Sequence, residues 1–271
     1  MMRSVSTRRC VSAVVTAGTA AALTLFATGA AHAASYSNYV ALGDSYSSGV
    51  GSGSYINSCD VSESAYPYLY DKANSSITFA DPSCSGAKTT DVISSQLSSL
   101  SSSTDLVSIT IGGNDAGFST VMEDCVLEGT SGCVSAVNSA ENYARTTLPG
   151  LLDKVYTDIH ADAPNAHVIV IGYPEFYDLS QSGSCVGLSG TSRTAINGAA
   201  DVIDSVISTE VAKYSGDSFV YEDVRSNFSG HEICDSSPWL HSLNWLDISE
   251  SYHPTANGQQ YAYYPAFEAG L

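Results

Sequence analysis

Four short segments carry the side chains that acyl transfer requires. They read Gly-Asp-Ser at 43–45, Cys-Ser-Gly-Ala at 84–87, Gly-Gly-Asn-Asp at 112–115 and Glu-Ser-Tyr-His-Pro at 250–254. A serine hydroxyl is a weak nucleophile until a base takes its proton, and the pKa of histidine suits that task near neutral pH. The sequence therefore predicts Ser45 as nucleophile and His253 as general base.

Negative charge would develop on the substrate carbonyl oxygen, so hydrogen-bond donors must already point at that position. The predicted donors are the backbone N–H groups of Ser45 and Gly86 and the side-chain amide of Asn114. We expect Gly86 to let the backbone approach closely because it has no Cβ. Asp44 and Asp115 are expected to hydrogen-bond the turns that carry Ser45 and Asn114, rather than to bind a metal. The alternative for Ser45 is a plain helix cap. This alternative is disfavoured because the chain also contains the Gly-Gly-Asn-Asp and Glu-Ser-Tyr-His-Pro segments.

The elements that position these segments alternate between strands and helices. Apolar stretches predict strands at 40–42, 77–80, 106–111, 168–171 and 219–224. Helical spacing predicts helices at about 90–100 behind a Thr90-Asp91 cap, at about 134–160 with an interruption near Pro149, and at about 196–211. A terminal helix is expected to open with His253-Pro254.

This alternation predicts one α/β domain over residues 34–271, with a parallel sheet of about five strands and helices on both of its faces. Ligands of such sheets bind beyond the carboxyl ends of the strands. Three of the four segments follow predicted strands there. The fold class therefore supports a single site built from distant segments.

The first 33 residues read as a signal peptide that is removed. Arg3, Arg8 and Arg9 precede an uncharged Ala/Val/Leu run, and Ala31-His32-Ala33 gives the small-x-small cleavage pattern. We therefore expect a secreted, extracellular protein without a stable membrane anchor.

The chain is strongly acidic, with ten Lys and Arg against 28 Asp and Glu and a formal charge of −18. Loss of residues 1–33 removes three arginines and no acid, which brings the charge of the mature chain to about −21. Phosphate backbones and anionic bilayers would repel this surface, so nucleic acid is not an expected partner. We expect a monomer whose partner is a lipid or a small ester.

Six cysteines remain after the signal peptide. An even number in a secreted chain predicts three disulfides, and six cysteines permit 15 pairings. We favour nearest neighbours, which would join Cys59–Cys84, Cys125–Cys133 and Cys185–Cys234. A zinc site is disfavoured because the chain has no CxxC pair, and His-Glu-Ile-Cys at 231–234 lacks the second histidine of a HExxH motif.

The four segments together resemble the SGNH, or GDSL-type, hydrolase family, whose Ser, Gly, Asn and His fall here on Ser45, Gly86, Asn114 and His253. The resemblance runs through the whole mature chain, and the stretches at 185–197 and 237–246 are similar to the secreted streptomycete lipase branch. It implies a flavodoxin-like three-layer domain, ester hydrolysis through an acyl-enzyme, nearest-neighbour disulfides, and no metal or organic cofactor.

The chain departs from the family at two positions. Tyr46 replaces the usual Leu after the nucleophile, and we expect it to shape the acyl or alcohol side of the site. The usual acid three residues before the histidine is Asp, whereas this chain has Glu250. Either the Glu250 carboxylate reaches His253 Nδ1, or the carbonyl of Ser251 orients the ring.

The predicted function is that of a lipase or esterase acting on acylglycerols and simple fatty-acid esters. Phospholipase A1 and polysaccharide acetyl esterase activities are alternatives on the same scaffold. A secreted binding module that has lost the chemistry is the alternative from another class. Acyl chain length, head-group preference and interfacial activation are left open by the sequence.

Overall fold

Five strands form the sheet of the protein: β1 (Asn38–Gly43), β2 (Thr78–Ala80), β3 (Leu106–Thr110), β4 (His167–Ile171) and β5 (Phe219–Glu222). The computed structural model describes residues 36–181, 185 and 187–271, so the predicted signal peptide lies outside the described residues. All residues of β3 and all but the first of β1 and β4 are buried. Burial on both faces is typical of a parallel sheet covered by helices.

The strands are all parallel and lie in the order β2-β1-β3-β4-β5. This is the flavodoxin-like order, and it confirms the predicted α/β fold. The chain runs outward from β1 to β2 and then crosses back to β3 on the other side of β1. The carboxyl ends of β1 and β3 therefore flank the switch point, where ligands of such sheets bind.

The helices cover both faces of the sheet. On one face α2 (Tyr66–Ala73) packs against α9 (Tyr264–Ala269), which contacts β4 and β5. On the other face α6 (Leu148–Asp162) packs against α7 (Gly190–Val211), which also contacts β5. The remaining helices are α1 (Ser45–Ser48), α3 (Thr89–Asp91), α4 (Phe118–Leu127), α5 (Gly129–Thr146) and α8 (Ala256–Gly258). None of the helices in the described part of the chain is long and apolar enough to cross a bilayer.

Several predicted helix boundaries are wrong. Lys88, and not Thr90-Asp91, occupies the N-cap position of α3, and Asp91 in the third position of the helix accepts from the Lys88 N–H as part of a capping box. The terminal helix begins after Thr255, whose hydroxyl accepts from the Gly258 N–H, so His253 and the following proline lie in the preceding loop. Helices α2 and α4 were not predicted, although Phe118, Val121, Met122 and Cys125 of α4 recur at helical spacing.

The predicted break in the long helical region is present. Helices α5 and α6 meet at Thr147, and Pro149 lies in the first turn of α6, where its missing N–H costs no hydrogen bond.

Disulfides join Cys59 to Cys84, Cys125 to Cys133, and Cys185 to Cys234, which is the nearest-neighbour pattern. The first of these links two loops beside the carboxyl edge of the sheet. The third uses the cysteine of the His-Glu-Ile-Cys stretch, so that this thiol is not a metal ligand.

Candidate active site

Strand β1 ends at a glycine that the neighbouring strand requires. Gly43 has φ +125°, and a Cβ at this position would lie 2.4 Å from the carbonyl oxygen of Thr110 on β3. The buried side chain of Gln96 accepts from the Gly43 N–H at 2.8 Å and donates to its carbonyl at 2.9 Å. The Cys84 N–H donates to the same carbonyl at 3.1 Å. The strand end that carries the nucleophile segment is thus fixed from three sides.

The chain turns directly from β1 into the one-turn helix α1, and Ser45 is its first residue. Asp44 is the N-cap: its Oδ1 accepts from the Tyr46 N–H at 2.9 Å. The cap alternative for Ser45 is therefore wrong, because the preceding aspartate has that role. Gly49 ends the helix in the left-handed conformation at φ 90°. This strand-to-helix turn places Ser45 Oγ at the carboxyl edge of the sheet.

His253 meets Ser45 at this edge although 208 residues separate them. Its Nε2 lies 2.8 Å from Ser45 Oγ, and its Nδ1 lies 3.1 Å from the carbonyl oxygen of Ser251. One tautomer satisfies both contacts: Nδ1–H donates to the carbonyl, and unprotonated Nε2 accepts from the serine hydroxyl. The structure therefore brings the predicted nucleophile and base into direct hydrogen-bond contact.

Burial of the imidazole lowers the pKa of His253 to about 4, although the hydrogen bond to the Ser251 carbonyl acts in the opposite direction and raises it. The ring is only 8% exposed. An imidazole with this pKa is unprotonated at neutral pH and is able to accept a proton. The charge state of His253 thus fits the role of a base in the resting protein.

Glu250 does not pair with the imidazole. Its Oε1 accepts a hydrogen bond from the Tyr55 hydroxyl at 2.8 Å, and that hydroxyl accepts from the Gly51 N–H at 2.8 Å. The position beside Nδ1 is held by the Ser251 carbonyl. Of the two alternatives that the sequence left open, the hydrogen bonds match the backbone carbonyl and not the carboxylate.

The histidine segment is held by backbone contacts to the chain at His241, 12 residues earlier. The His241 N–H donates to the His253 carbonyl at 2.9 Å, and the Tyr252 N–H donates to the His241 carbonyl at 2.9 Å. Tyr252 adopts a left-handed conformation at φ 67°, which non-glycine residues rarely occupy. Such strain persists only where the surroundings enforce it, and it is common at functional sites.

Tyr46, the residue after the nucleophile, contacts the histidine segment. Its side chain is buried, its ring packs 5.2 Å from the His253 ring, and its hydroxyl donates to the Tyr252 carbonyl at 2.8 Å. Tyr46 therefore supports the histidine segment, and its expected effect on the acyl or alcohol side stays a prediction. No short sequence pattern signals this contact, since the two partners are 206 positions apart in the sequence.

The predicted oxyanion donors are available. Among the described residues, the N–H groups of Ser45 and Gly86 have no acceptor. The Asn114 amide gives one hydrogen to the Ala87 carbonyl at 3.0 Å and has a second to offer. Gly86 has φ +77°, and a Cβ there would meet nothing within 4 Å. The positive φ favours glycine at this position, and the expected close approach of a substrate to the Gly86 N–H stays a prediction.

A buried tyrosine that sequence reasoning missed joins the loops after β1 and β3. The Tyr173 hydroxyl donates to Asp44 Oδ2 at 2.6 Å and accepts from the Gly113 N–H at 2.9 Å. Burial raises the pKa of Asp44 to about 7, against the hydrogen bonds from Tyr173 and Tyr46. Tyr173 follows β4 by two residues, so the strand-end rule that pointed to the other segments would have found it.

Asp115 acts between loops and not within its own turn. Its Oδ1 accepts from the Thr89 hydroxyl at 2.7 Å, and its Oδ2 accepts from the Thr89 N–H at 3.0 Å. The expectation for Asp115 is therefore wrong, whereas Asp44 does bond its own turn. Asp115 ties the Asn114 loop to the loop that carries Gly86, and so fixes the two predicted donors relative to each other.

An apolar cavity of about 430 Å³ opens beside the histidine. It lies between α4 and the loop 243–253, and its lining includes Met122, Leu243, Tyr252 and His253. A second apolar cavity of about 70 Å³ lies behind Phe118 and Met122, which also line the first cavity. The Phe118 ring lies 6.1 Å from the His253 ring, edge to face. The larger cavity is the one with room for a hydrocarbon chain next to the candidate catalytic pair.

Comparisons with known proteins agree with this arrangement. The chain is 56% identical over 258 residues to Lipase 1 of Streptomyces coelicolor, covering 94% of each chain. It is similar to the crystal structure of the extracellular lipase of Streptomyces rimosus, with a TM-score of 0.82, 49% identity, and coverage of 87% of this chain and 100% of that one. Phospholipase A1 of Streptomyces albidoflavus NA297 gives a TM-score of 0.83 and 50% identity over 88% of this chain and 100% of that one. The GDSL-like lipase/acylhydrolase family model matches residues 41–261, and the chain belongs to that family.

Proposed function

We propose that this protein is a secreted carboxylic ester hydrolase that cleaves acylglycerols and simple fatty-acid esters through an acyl-enzyme on Ser45. The contact of 2.8 Å between Ser45 Oγ and His253 Nε2, beside available backbone N–H donors, is the observation that carries the proposal. Membership of the GDSL-like lipase/acylhydrolase family supports ester hydrolysis as the reaction.

Each step of the mechanism uses groups of this chain. His253 Nε2 takes the hydroxyl proton as Ser45 Oγ bonds to the substrate carbonyl carbon. The Ser251 carbonyl accepts from Nδ1–H, which keeps the ring oriented and stabilises the imidazolium. The imidazolium then gives its proton to the departing alcohol as the carbon–oxygen bond breaks. In the second half, His253 activates a water that attacks the acyl-enzyme, and the fatty acid leaves as Ser45 regains its proton.

The N–H groups of Ser45 and Gly86 and the amide of Asn114 bind the oxygen on which negative charge develops. Because the hydrogen bonds of Gln96, Thr89 and Asp115 already fix these loops, the donors need little reorganisation during the reaction. Loss of one such donor typically lowers turnover by about 10²–10³-fold.

The substrate class follows from the cavity and the relatives. The cavity of about 430 Å³ beside His253 is mainly apolar and suits a hydrocarbon chain. The three disulfides, and the extracellular origin named for the similar Streptomyces rimosus lipase, support export from the cell.

Phospholipase A1 activity is the second candidate, because a similar protein of that activity matches with a TM-score of 0.83. The two crystal structures match this chain about equally well, so the fold does not separate them. Turnover of triolein and of phosphatidylcholine, measured side by side with the positions of the released acyl chains, would decide between the activities. Preferential release from the glycerol sn-1 position of phosphatidylcholine would favour the phospholipase.

A fluorophosphonate probe tests the proposal itself, because only an activated serine is labelled. We expect stoichiometric labelling of the purified protein at Ser45 and none in Ser45→Ala. The matched control is Ser48→Ala, which removes a buried serine from the same one-turn helix and should still be labelled. A wild-type protein that resists the probe and hydrolyses none of the esters would instead be a binding module.

A further inference from the structure

The four most exposed large apolar side chains of the described residues lie beside the candidate active site. Leu246 is 99% exposed, and Trp245, Ile248 and Leu127 are each 62–65% exposed. The first three lie within the loop 243–253, and Leu127 is the last residue of α4. We call these four side chains the apolar rim. Soluble proteins rarely leave such a group uncovered unless it meets another apolar surface.

The rim is continuous with the candidate active site. Leu127, Trp245 and Ile248 line the same cavity of about 430 Å³ that His253 and Tyr252 line at its inner end. Leu243, at the start of the loop, is only partly buried and packs against the core, which attaches the loop to the protein. An apolar path therefore leads from Leu127, Trp245 and Ile248 to the His253 imidazole that is hydrogen-bonded to Ser45.

The charges around the rim indicate which surface it fits. The loop 243–253 contains Asp247 and Glu250 and no Lys or Arg, and α4 adds Glu123 and Asp124. The whole chain has a formal charge of −18. Anionic lipid head groups attract basic segments and repel an acidic one. The rim therefore suits an uncharged or zwitterionic lipid surface.

The residue types support the same surface. Tryptophan favours the boundary between the hydrocarbon and polar regions of a lipid layer, where its amphipathic ring is accommodated. Leucine and isoleucine contribute apolar area that binds in proportion to the surface removed from water. The acidic side chains of the loop, Asp247 and Glu250, are able to stay in water while the neighbouring apolar side chains enter the lipid.

We propose that the apolar rim inserts into the surface of an uncharged or zwitterionic lipid aggregate and that a lipid chain enters the cavity from there. The inference rests on the proposed function, because it assigns to the ester hydrolase the surface on which it meets aggregated substrate. It adds a binding surface that is distinct from the residues proposed to perform the chemistry.

Leu246→Asp gives the sharpest test, because Leu246 does not line the cavity. Binding is measured in the Ser45→Ala background, so that the lipid is not consumed, by sedimentation with phosphatidylcholine vesicles. We expect the partition coefficient to fall at least about ten-fold. The control is Leu271→Asp, since Leu271 is exposed near Tyr36 at the opposite edge of the sheet and should leave binding unchanged.

Kinetics provide the second readout. With Ser45 intact, Leu246→Asp should leave turnover of monomeric p-nitrophenyl acetate within about two-fold and lower turnover of emulsified triolein about ten-fold or more. Equal vesicle binding by Leu246→Asp and Leu271→Asp would overturn the inference. So would tighter binding to phosphatidylglycerol than to phosphatidylcholine, or a dimer that Leu246→Asp dissociates. A protein that binds vesicles through the rim but hydrolyses no ester would contradict the proposed function and leave the inference standing.

Discussion

The nucleophile segment and the histidine segment reach the same point by different means. Residues 44–49 follow directly from β1, and hydrogen bonds between near neighbours form their one-turn helix. Residues 249–255 follow no strand of the sheet. Their contacts run to His241, to Tyr46 and to Leu240, which forms an isolated bridge with Pro254.

The difference teaches that the turn carrying Ser45 is formed by near neighbours, whereas the turn carrying His253 is formed by contacts to other segments. A strand end, an aspartate cap and a helix terminus shape the Ser45 turn, and contacts of Gln96, Cys84 and Thr110 hold the strand end from which it starts. His253 depends on contacts between residues about 200 positions apart and on a tyrosine held at positive φ. Substitutions on the histidine side should therefore disturb both folding and chemistry, whereas those on the serine side should mainly disturb chemistry.

The largest expected effect comes from removing either member of the pair. Ser45→Ala and His253→Ala should each lower kcat by at least about 10³-fold, because the serine is inert without its base. They should differ in stability. His253→Ala leaves a cavity beside Tyr46 and Phe118 and should cost about 1–3 kcal/mol, a fall in Tm of roughly 2–4 °C for each kcal/mol. Ser45→Ala should leave Tm unchanged.

Calorimetry of the two variants checks this contrast. Equal Tm values for His253→Ala and wild type would show that the histidine segment is no more dependent on packing than the nucleophile segment. Full activity of Ser45→Ala would remove the proposed mechanism altogether.

Tyr46→Phe and Tyr173→Phe make the same chemical change on the two sides. Tyr46→Phe leaves the buried Tyr252 carbonyl without its donor, which should cost about 1–3 kcal/mol of stability and lower kcat about ten-fold with little change in KM. Tyr173→Phe removes the bond to Asp44, but the Asp44 N–H still donates to the Thr110 carbonyl and the cap remains.

We therefore expect a loss in kcat of roughly three-fold for Tyr173→Phe, smaller than the loss for Tyr46→Phe. Steady-state kinetics on p-nitrophenyl butyrate and thermal melts of both variants would measure this. The reverse order would mean that the Tyr173 bridge, and not the local turn, sets the position of Ser45.

The same contrast explains how much of the site is readable from sequence. Ser45, Gly86 and Asn114 each follow a strand, so the alternation of elements sufficed to predict that they converge. The sequence did not decide the partner of His253 Nδ1, because Glu250 and Ser251 are adjacent and the backbone conformation of Tyr252 determines which of them faces the ring.

The sequence analysis also failed to predict side-chain contacts between residues far apart in the chain. The sequence does not indicate that the Tyr46 hydroxyl reaches Tyr252, or that Asp115 bonds Thr89 instead of its own turn. Such contacts depend on which strands become neighbours and on where each loop ends. The strand order itself followed from the family resemblance and not from the strand residues, which would suit several parallel orders.

The pH dependence of kcat/KM tests the burial of His253. With its pKa at about 4, kcat/KM should change less than about two-fold between pH 7.5 and 5, where an ordinary imidazole would lose roughly 30-fold. The folded protein binds this proton at lower pH than the unfolded chain does. The contribution of His253 to the unfolding free energy should therefore fall as pH drops from about 6.5 to 4.

Kinetics with a soluble ester from pH 4 to 8 would show the midpoint of the acid limb. A midpoint near 6.5 would contradict the inference that burial lowers the pKa of His253. Asp44, the residue before the nucleophile, has a pKa of about 7 and is therefore a second group that titrates in this range. The control is Asp44→Asn: a fall in kcat/KM near pH 7 that disappears in this variant belongs to the aspartate.

Glu250→Gln should have the smallest effect, a change in kcat/KM of less than about three-fold, although removal of the aspartate from a catalytic triad costs about 10⁴. The glutamine oxygen is able to accept from the Tyr55 hydroxyl as the carboxylate does, and the Ser251 carbonyl keeps His253 Nδ1. The matched control is Glu63→Gln, an exposed carboxylate that pairs with Lys72. A loss above about 100-fold at unchanged Tm would mean that the carboxylate leaves Tyr55 during turnover to orient the ring. The histidine segment would then depend on a side chain near in sequence, and its contrast with the nucleophile segment would disappear.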